Sequence, residues 1–138
     1  AWAVPASGIY AAYFHGPRFQ VLAGIKTISE GELLAVTRRP AEPLWDDAGR
    51  TLVFHPMLIE AAFQACGYRD LHYLKKMTLP DSIGRVQVFR KEPPPETLFI
   101  WVRHTGQEDD KSVYDALVFD SAGEPWVALK DYRMIAVS

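Results

Sequence analysis

Pro56-Met57-Leu58-Ile59-Glu60-Ala61-Ala62-Phe63-Gln64-Ala65-Cys66-Gly67 is the passage on which the fold turns. Proline suits a first helical turn and glycine a helix end, so the passage predicts a helix over 56–67. Apolar side chains lie nearly all round it, the pattern of a helix enclosed in a core. Ala61, Ala62 and Ala65 are small enough to let a sheet approach closely. Only Glu60 and Gln64 break the pattern. Four residues apart, they lie one above the other on one face.

The rest of the chain reads mainly as strands. On the N-terminal side, 19–28 reads as a strand with a kink at Gly24, and 32–37 as a second, joined through a tight turn at Glu30-Gly31. On the C-terminal side, 85–90 alternates at period two, and 98–104, 113–119 and 126–135 are further β runs. The three prolines of 91–96 and the charged segment 105–111 predict loops, and Ser121-Ala122-Gly123-Glu124 a hairpin turn. Residues 38–50, with two prolines, two aspartates and a glycine, read as a surface loop. Residues 1–8 suit a linker or a tied-down arm, and 9–14 a short helical turn stopped by Gly16-Pro17. One apolar helix with two strands before it and about four after predicts an α+β domain, its helix laid on an antiparallel sheet.

The bulk properties narrow the function classes. At 138 residues the chain suffices for one domain and not two. Fifteen basic against seventeen acidic residues, with no basic stripe, give a nucleic-acid partner no electrostatic support. Apolar runs are too short to span a bilayer, so no membrane partner is expected. The single cysteine, Cys66, excludes an internal disulfide and suits a reducing, cytoplasmic compartment. His15, His55 and Cys66 lack zinc-ligand spacing, and no metal is expected. The chain starts at Ala1, with no initiator Met and no leader-like segment, and reads as a piece of something longer.

Glu60 and Gln64 carry the chemical interest. An ionised carboxylate is costly to bury unless paired, and burial favours the neutral acid. A neutral carboxylic acid in an apolar cavity is a proton donor near neutral pH, and a neighbouring amide can hold it in one orientation. The competing reading makes the pair the solvent stripe of an amphipathic helix, since most charged side chains are exposed.

Three segments decide between these readings. The run Ile9-Tyr10-Ala11-Ala12-Tyr13-Phe14-His15-Gly16-Pro17-Arg18-Phe19-Gln20 resembles a Gly-Tyr-x-Tyr-Gly-Pro-x-Phe motif, with Ala12 for the Gly and His15 for the second Tyr. His55-Pro56-Met57-Leu58-Ile59-Glu60-Ala61-Ala62-Phe63-Gln64 resembles His-Pro-x-Leu-Leu-Asp-x-x-x-Gln, and Leu79-Pro80 resembles the Leu-Pro that leads into the next strand. In this order and spacing they resemble the second hot-dog half of type I polyketide synthase dehydratases and the related polyunsaturated fatty acid synthase dehydratases. The resemblance implies a hot-dog fold over 9–138, one central helix wrapped by a curved antiparallel sheet, forming half of a double hot-dog dehydratase. It implies loss of water from a 3-hydroxyacyl thioester, with no cofactor of the domain's own, the substrate riding on the phosphopantetheine of an acyl carrier protein. That carrier and an upstream hot-dog half, or a second copy, are the implied partners. The family's catalytic Asp falls on Glu60 and its Gln on Gln64. Tyr13, His15, Gly16, Pro17 and Phe19 of the first segment are candidate substrate-binding residues at an acyl tunnel, or only a turn with packed aromatics. His55 joins them, or serves the helix start by bonding backbone.

Two departures qualify the resemblance. Glu60 is one methylene longer than Asp, which moves the carboxyl by about 1.5 Å, and displacements of that order can cost catalysis heavily. The family's His-x-x-x-Gly-x-x-x-x-Pro segment, source of the catalytic base, does not occur; His55 and His104 lack that context. These departures keep two rival readings open: a catalytically degenerate hot dog that binds an acyl chain or buttresses a neighbour, and a stand-alone thioesterase or hydratase. Strand aromatics Trp101, Phe119, Trp126 and Tyr132 are expected in the core, as is Cys66.

Overall fold

The computed structural model describes residues 2–12, 20–38 and 56–137. The passage quoted above begins helix α2, Pro56–Leu74, preceded by α1, Ala6–Ala12. Among the described residues seven strands form one antiparallel sheet: β1 Val4–Pro5, β2 Leu22–Ile28, β3 Glu32–Thr37, β4 Thr78–Val88, β5 Phe99–Glu108, β6 Lys111–Phe119 and β7 Pro125–Ala136. Their spatial order is β1-β2-β3-β5-β6-β7-β4, so the chain crosses over twice, once from β3 through α2 to the far edge and once back from β4 to β5. Helix α2 lies against one face of the sheet and touches six of its strands. Ile25, Leu33, Ile100, Val102, Val118 and Leu129 point at it from strand after strand and are buried with Leu58, Ala61, Ala62 and Ala65 of the helix. The three alanines are what let the sheet close on the helix, and the stack of Phe63 on Tyr132, centroids 4.7 Å apart, anchors it to β7.

Helix α2 does not stop at Gly67, as the sequence suggested, but runs seven residues further. Gly67 is buried inside it. The helix continues because the polar residues beyond Gly67 find buried partners, and it ends where Lys75 turns to φ 57°, its N–H donating to Leu71 O at 3.2 Å. That is the left-handed position at which helices commonly terminate.

Strand β4 likewise starts seven residues earlier than the alternating run 85–90. Pro80 is tolerated because β4 is an edge strand, paired among the described residues only with β7, and the register shifts at that point. Gly84 is needed where β4 crosses Asp131, since a Cβ there would meet the Asp131 Cβ at 2.9 Å. The segment 105–111 is mostly strand: β5 and β6 join through a turn at Asp109-Asp110, with Asp109 at φ 50°. The start of the chain belongs to the sheet, β1 pairing with β2 and the Trp2 ring lying over Gly24, where a Cβ would be 2.6 Å from it. Trp126 and Tyr132 are buried, but Trp101 lies 39% exposed, on the face of β5 turned away from the helix.

Asp120 ties the β6–β7 turn. Its carboxylate accepts Trp126 Nε1–H at 3.1 Å and the N–H groups of Ala122 and Glu124 at 3.0 Å. These bonds, the indole's first, hold its pKa below the ordinary 3.8. The stabilisation is therefore present above the unfolded value and lost as pH falls through the lower folded one. Trp126 fluorescence titrated into acid should show a transition centred below 3.8, absent in Asp120→Asn; a midpoint at or above that value would contradict the assignment.

Candidate active site

The first turns of α2 present Glu60 and Gln64 toward α1 and the start of β2. Gln64 is only 4% exposed, so it does not belong to a solvent stripe. Burying an amide is costly unless both its ends are bonded, and here both are. Gln64 Nε2 donates to Glu60 Oε1 at 3.1 Å, and Gln64 Oε1 accepts from Tyr10 Oη at 2.7 Å. Tyr10 Oη in turn accepts the Leu22 backbone N–H at 2.8 Å. The Arg38 guanidinium lies over the Tyr10 ring, 5.6 Å from its centroid, and is itself held by Gln20 O at 3.0 Å and Gln20 Oε1 at 3.1 Å. Burial pushes the Tyr10 hydroxyl up to about 12, although the Leu22 N–H and Arg38 both favour the phenolate. Glu60 is half-buried at the end of this chain. The arrangement is a carboxyl at the rim of an apolar core, one oxygen held by a buried amide, the form required of a positioned proton donor or acceptor.

Tyr13, His15, Gly16, Pro17, Phe19 and His55 lie outside the described residues. Cys66 is buried on α2, and burial raises its thiol pKa well above the ordinary value. Among the described residues no cluster of His, Cys, Asp and Glu could hold a metal, and no helix is long and apolar enough to cross a membrane.

A second polar cluster, unforeseen in the sequence, lies further along α2. Asp70 is fully buried and takes hydrogen bonds from Tyr114 Oη and, at 2.9 Å, from Thr78 Oγ1. Arg69 Nη1 stands 3.6 Å from Asp70 Oδ1, while its Nε and Nη2 donate to Glu30 O at 3.1 and 2.9 Å. Burial and the Asp70 charge push the Tyr114 hydroxyl up. His104, whose ring packs on Tyr114, has its pKa lowered by burial and then by Arg69. A signal was available: Leu58, Ala62 and Cys66 form a buried row at four-residue spacing, and one more step lands on Asp70. The premature stop at Gly67 hid it.

Comparison with known proteins places the fold. The family model described as "Polyketide synthase dehydratase N-terminal domain" matches residues 10–138. A trans-AT PKS dehydratase domain from Brevibacillus brevis superposes with a TM-score of 0.80 at 17% identity, covering 98% of this chain and 48% of that one. The dehydratase domain from the CurJ module of curacin polyketide synthase gives 0.80 at 18% identity, covering 98% and 50%. The dehydratase domain of PpsC from Mycobacterium tuberculosis, solved in complex with C12:1-CoA, gives 0.74 at 20%, covering 97% and 52%. The chain thus spans about half the length of these structures, and its sheet and central helix have their hot-dog fold. No curated protein sequence matches.

Replacing Asp70 with Ala strands the buried Arg69 charge and two hydroxyls. It should cost about 3–5 kcal/mol of stability in a urea titration, and an unchanged midpoint would show that the cluster does not hold the helix.

Proposed function

The chain belongs to the polyketide synthase dehydratase family; although the matching family model is described as an N-terminal domain, from the motif His55 to Gln64 we propose that it is the second hot-dog half of a dehydratase in which Glu60, held by Gln64, is the acid. The substrate is a 3-hydroxyacyl thioester on the phosphopantetheine of an acyl carrier protein. A histidine of the other hot dog takes the α-proton, the bond from Cβ to oxygen breaks, and the proton of Glu60 joins the departing hydroxyl to form water. The product is the enoyl thioester. The observation that carries this reading is the bonded pair Glu60–Gln64 on the otherwise apolar first turns of α2.

Three further points support it. No His-x-x-x-Gly-x-x-x-x-Pro segment occurs in the chain, which favours the second half over the first. A cytoplasmic setting, where such a carrier would meet it, suits the lone reduced Cys66. The partner reading finds support in β4: among the described residues it pairs with β7 alone, and Leu79 and Val86 are exposed along it. An open edge of this length is a ready template for another strand, and the upstream hot dog or a second copy would supply one. The acyl-CoA seen in the PpsC complex fits the proposed thioester class.

The longer Glu60 in place of Asp favours one alternative, a hot dog that binds an acyl chain without turning it over. Assay of the full-length protein on a short 3-hydroxyacyl pantetheine thioester separates the two. Under the proposal, Glu60→Gln lowers dehydration by roughly 10²-fold or more, and Glu60→Asp, which keeps the acid but withdraws it, loses less than Glu60→Gln. An undiminished rate in Glu60→Gln would remove the acid role.

A further inference from the structure

Tyr10 precedes the first motif in sequence, yet it sits at the head of the hydrogen-bond chain that ends on Glu60. Its direction follows from elementary chemistry. The Leu22 backbone N–H can only donate, and it does so to Tyr10 Oη at 2.8 Å. The phenol has one proton of its own to give, and Gln64 Oε1 lies 2.7 Å away to receive it. With its oxygen so engaged, the Gln64 amide must turn its nitrogen toward Glu60, where Nε2 and Oε1 are 3.1 Å apart. A donor facing that oxygen keeps a carboxyl proton off it.

We propose that Tyr10 is a positioning residue: by giving its proton to Gln64 Oε1 it fixes the amide nitrogen toward Glu60 and so keeps the acid proton of Glu60 on the oxygen that faces the substrate. The proposal rests on the reading of Glu60 as the dehydratase acid. Turned over, the amide would set its carbonyl against Glu60 Oε1. Two acceptors at that distance need a proton between them, and the proton would be drawn from Glu60 into the core, away from the leaving hydroxyl. The phenol that decides between the two orientations is dependable. Burial, with a small contribution from Glu60, pushes its pKa to about 12, so it remains a hydroxyl at working pH. Its ring is set by Arg38, which Gln20 holds in place. Its oxygen is pinned by the backbone of β2 beside the register shift that follows Leu22.

The test is Tyr10→Phe in the full-length protein, a change that keeps the ring and removes only the hydroxyl. With a 3-hydroxyacyl pantetheine thioester, kcat should fall roughly 10- to 100-fold with KM unchanged, and should fall no further when Gln64→Ala is already present. A purely structural effect would instead add to that of Gln64→Ala. Equal losses in both backgrounds, or none while Glu60→Gln is inactive, overturn the role of Tyr10 and leave the dehydratase reading standing. A fully active Glu60→Gln removes that reading and the proposal with it. An independent readout needs no turnover: solvent exchange of the Gln64 side-chain amide protons in protein labelled with 15N-glutamine. Slow exchange in the wild type, accelerated by Tyr10→Phe, supports the lock; fast exchange in the wild type, or the same rate in both proteins, overturns it.

Discussion

Helix α2 is enclosed by a sheet, and a helix in that position can carry a polar side chain only where the surrounding strands offer it a partner. Gln64, Arg69 and Asp70 all lie on it at 4% exposure or less. Each is bonded to a different part of the molecule: Gln64 toward α1, Arg69 to the β2–β3 turn, Asp70 to β4 and β6. These bonds are directional, whereas the apolar contacts around them tolerate rotation and sliding. The polar residues therefore define the helix's rotation and axial position, and the many alanines only permit the close packing.

This division of labour bears on the candidate site. Glu60 is fixed relative to the sheet through two routes, the local chain of Gln64, Tyr10 and Leu22, and the distant clamp of Arg69 and Asp70 at the other end of the same rod. A carboxyl that protonates a leaving group needs placement to a fraction of an ångström. A rigid helix held at both ends supplies that better than a loop would. The longer Glu side chain is accommodated here by folding toward the next turn, where Gln64 receives it.

Much of this was legible in the sequence. The core helix announced itself by apolar residues on every side, and β3 was read at its observed limits because Glu30-Gly31 marks the turn before it. The pairing of Glu60 with Gln64 follows from four-residue spacing alone. What failed to show depended on tertiary partners. Pro80, Asp81, Ser82 and Gly84 make a poor strand by composition and a workable one at a sheet edge. Gly67 has the composition of a stop, but burial carries the helix through it. Trp101 alternates onto the outer face, because an aromatic in a strand does not reveal which side of the sheet will be covered. Tyr10 finds Gln64 across 54 positions of sequence, a contact no local pattern encodes.

The central claim is that Glu60 meets the hydroxyl that leaves. The structure of the full-length protein with a non-eliminating 3-hydroxyacyl pantetheine analogue bound tests it most directly. The account predicts the β-hydroxyl oxygen within about 2.6–3.2 Å of the Glu60 carboxyl, with Gln64 still bonded to the other carboxyl oxygen. An acyl chain bound with its hydroxyl facing some other group, and Glu60 turned to solvent, would contradict it.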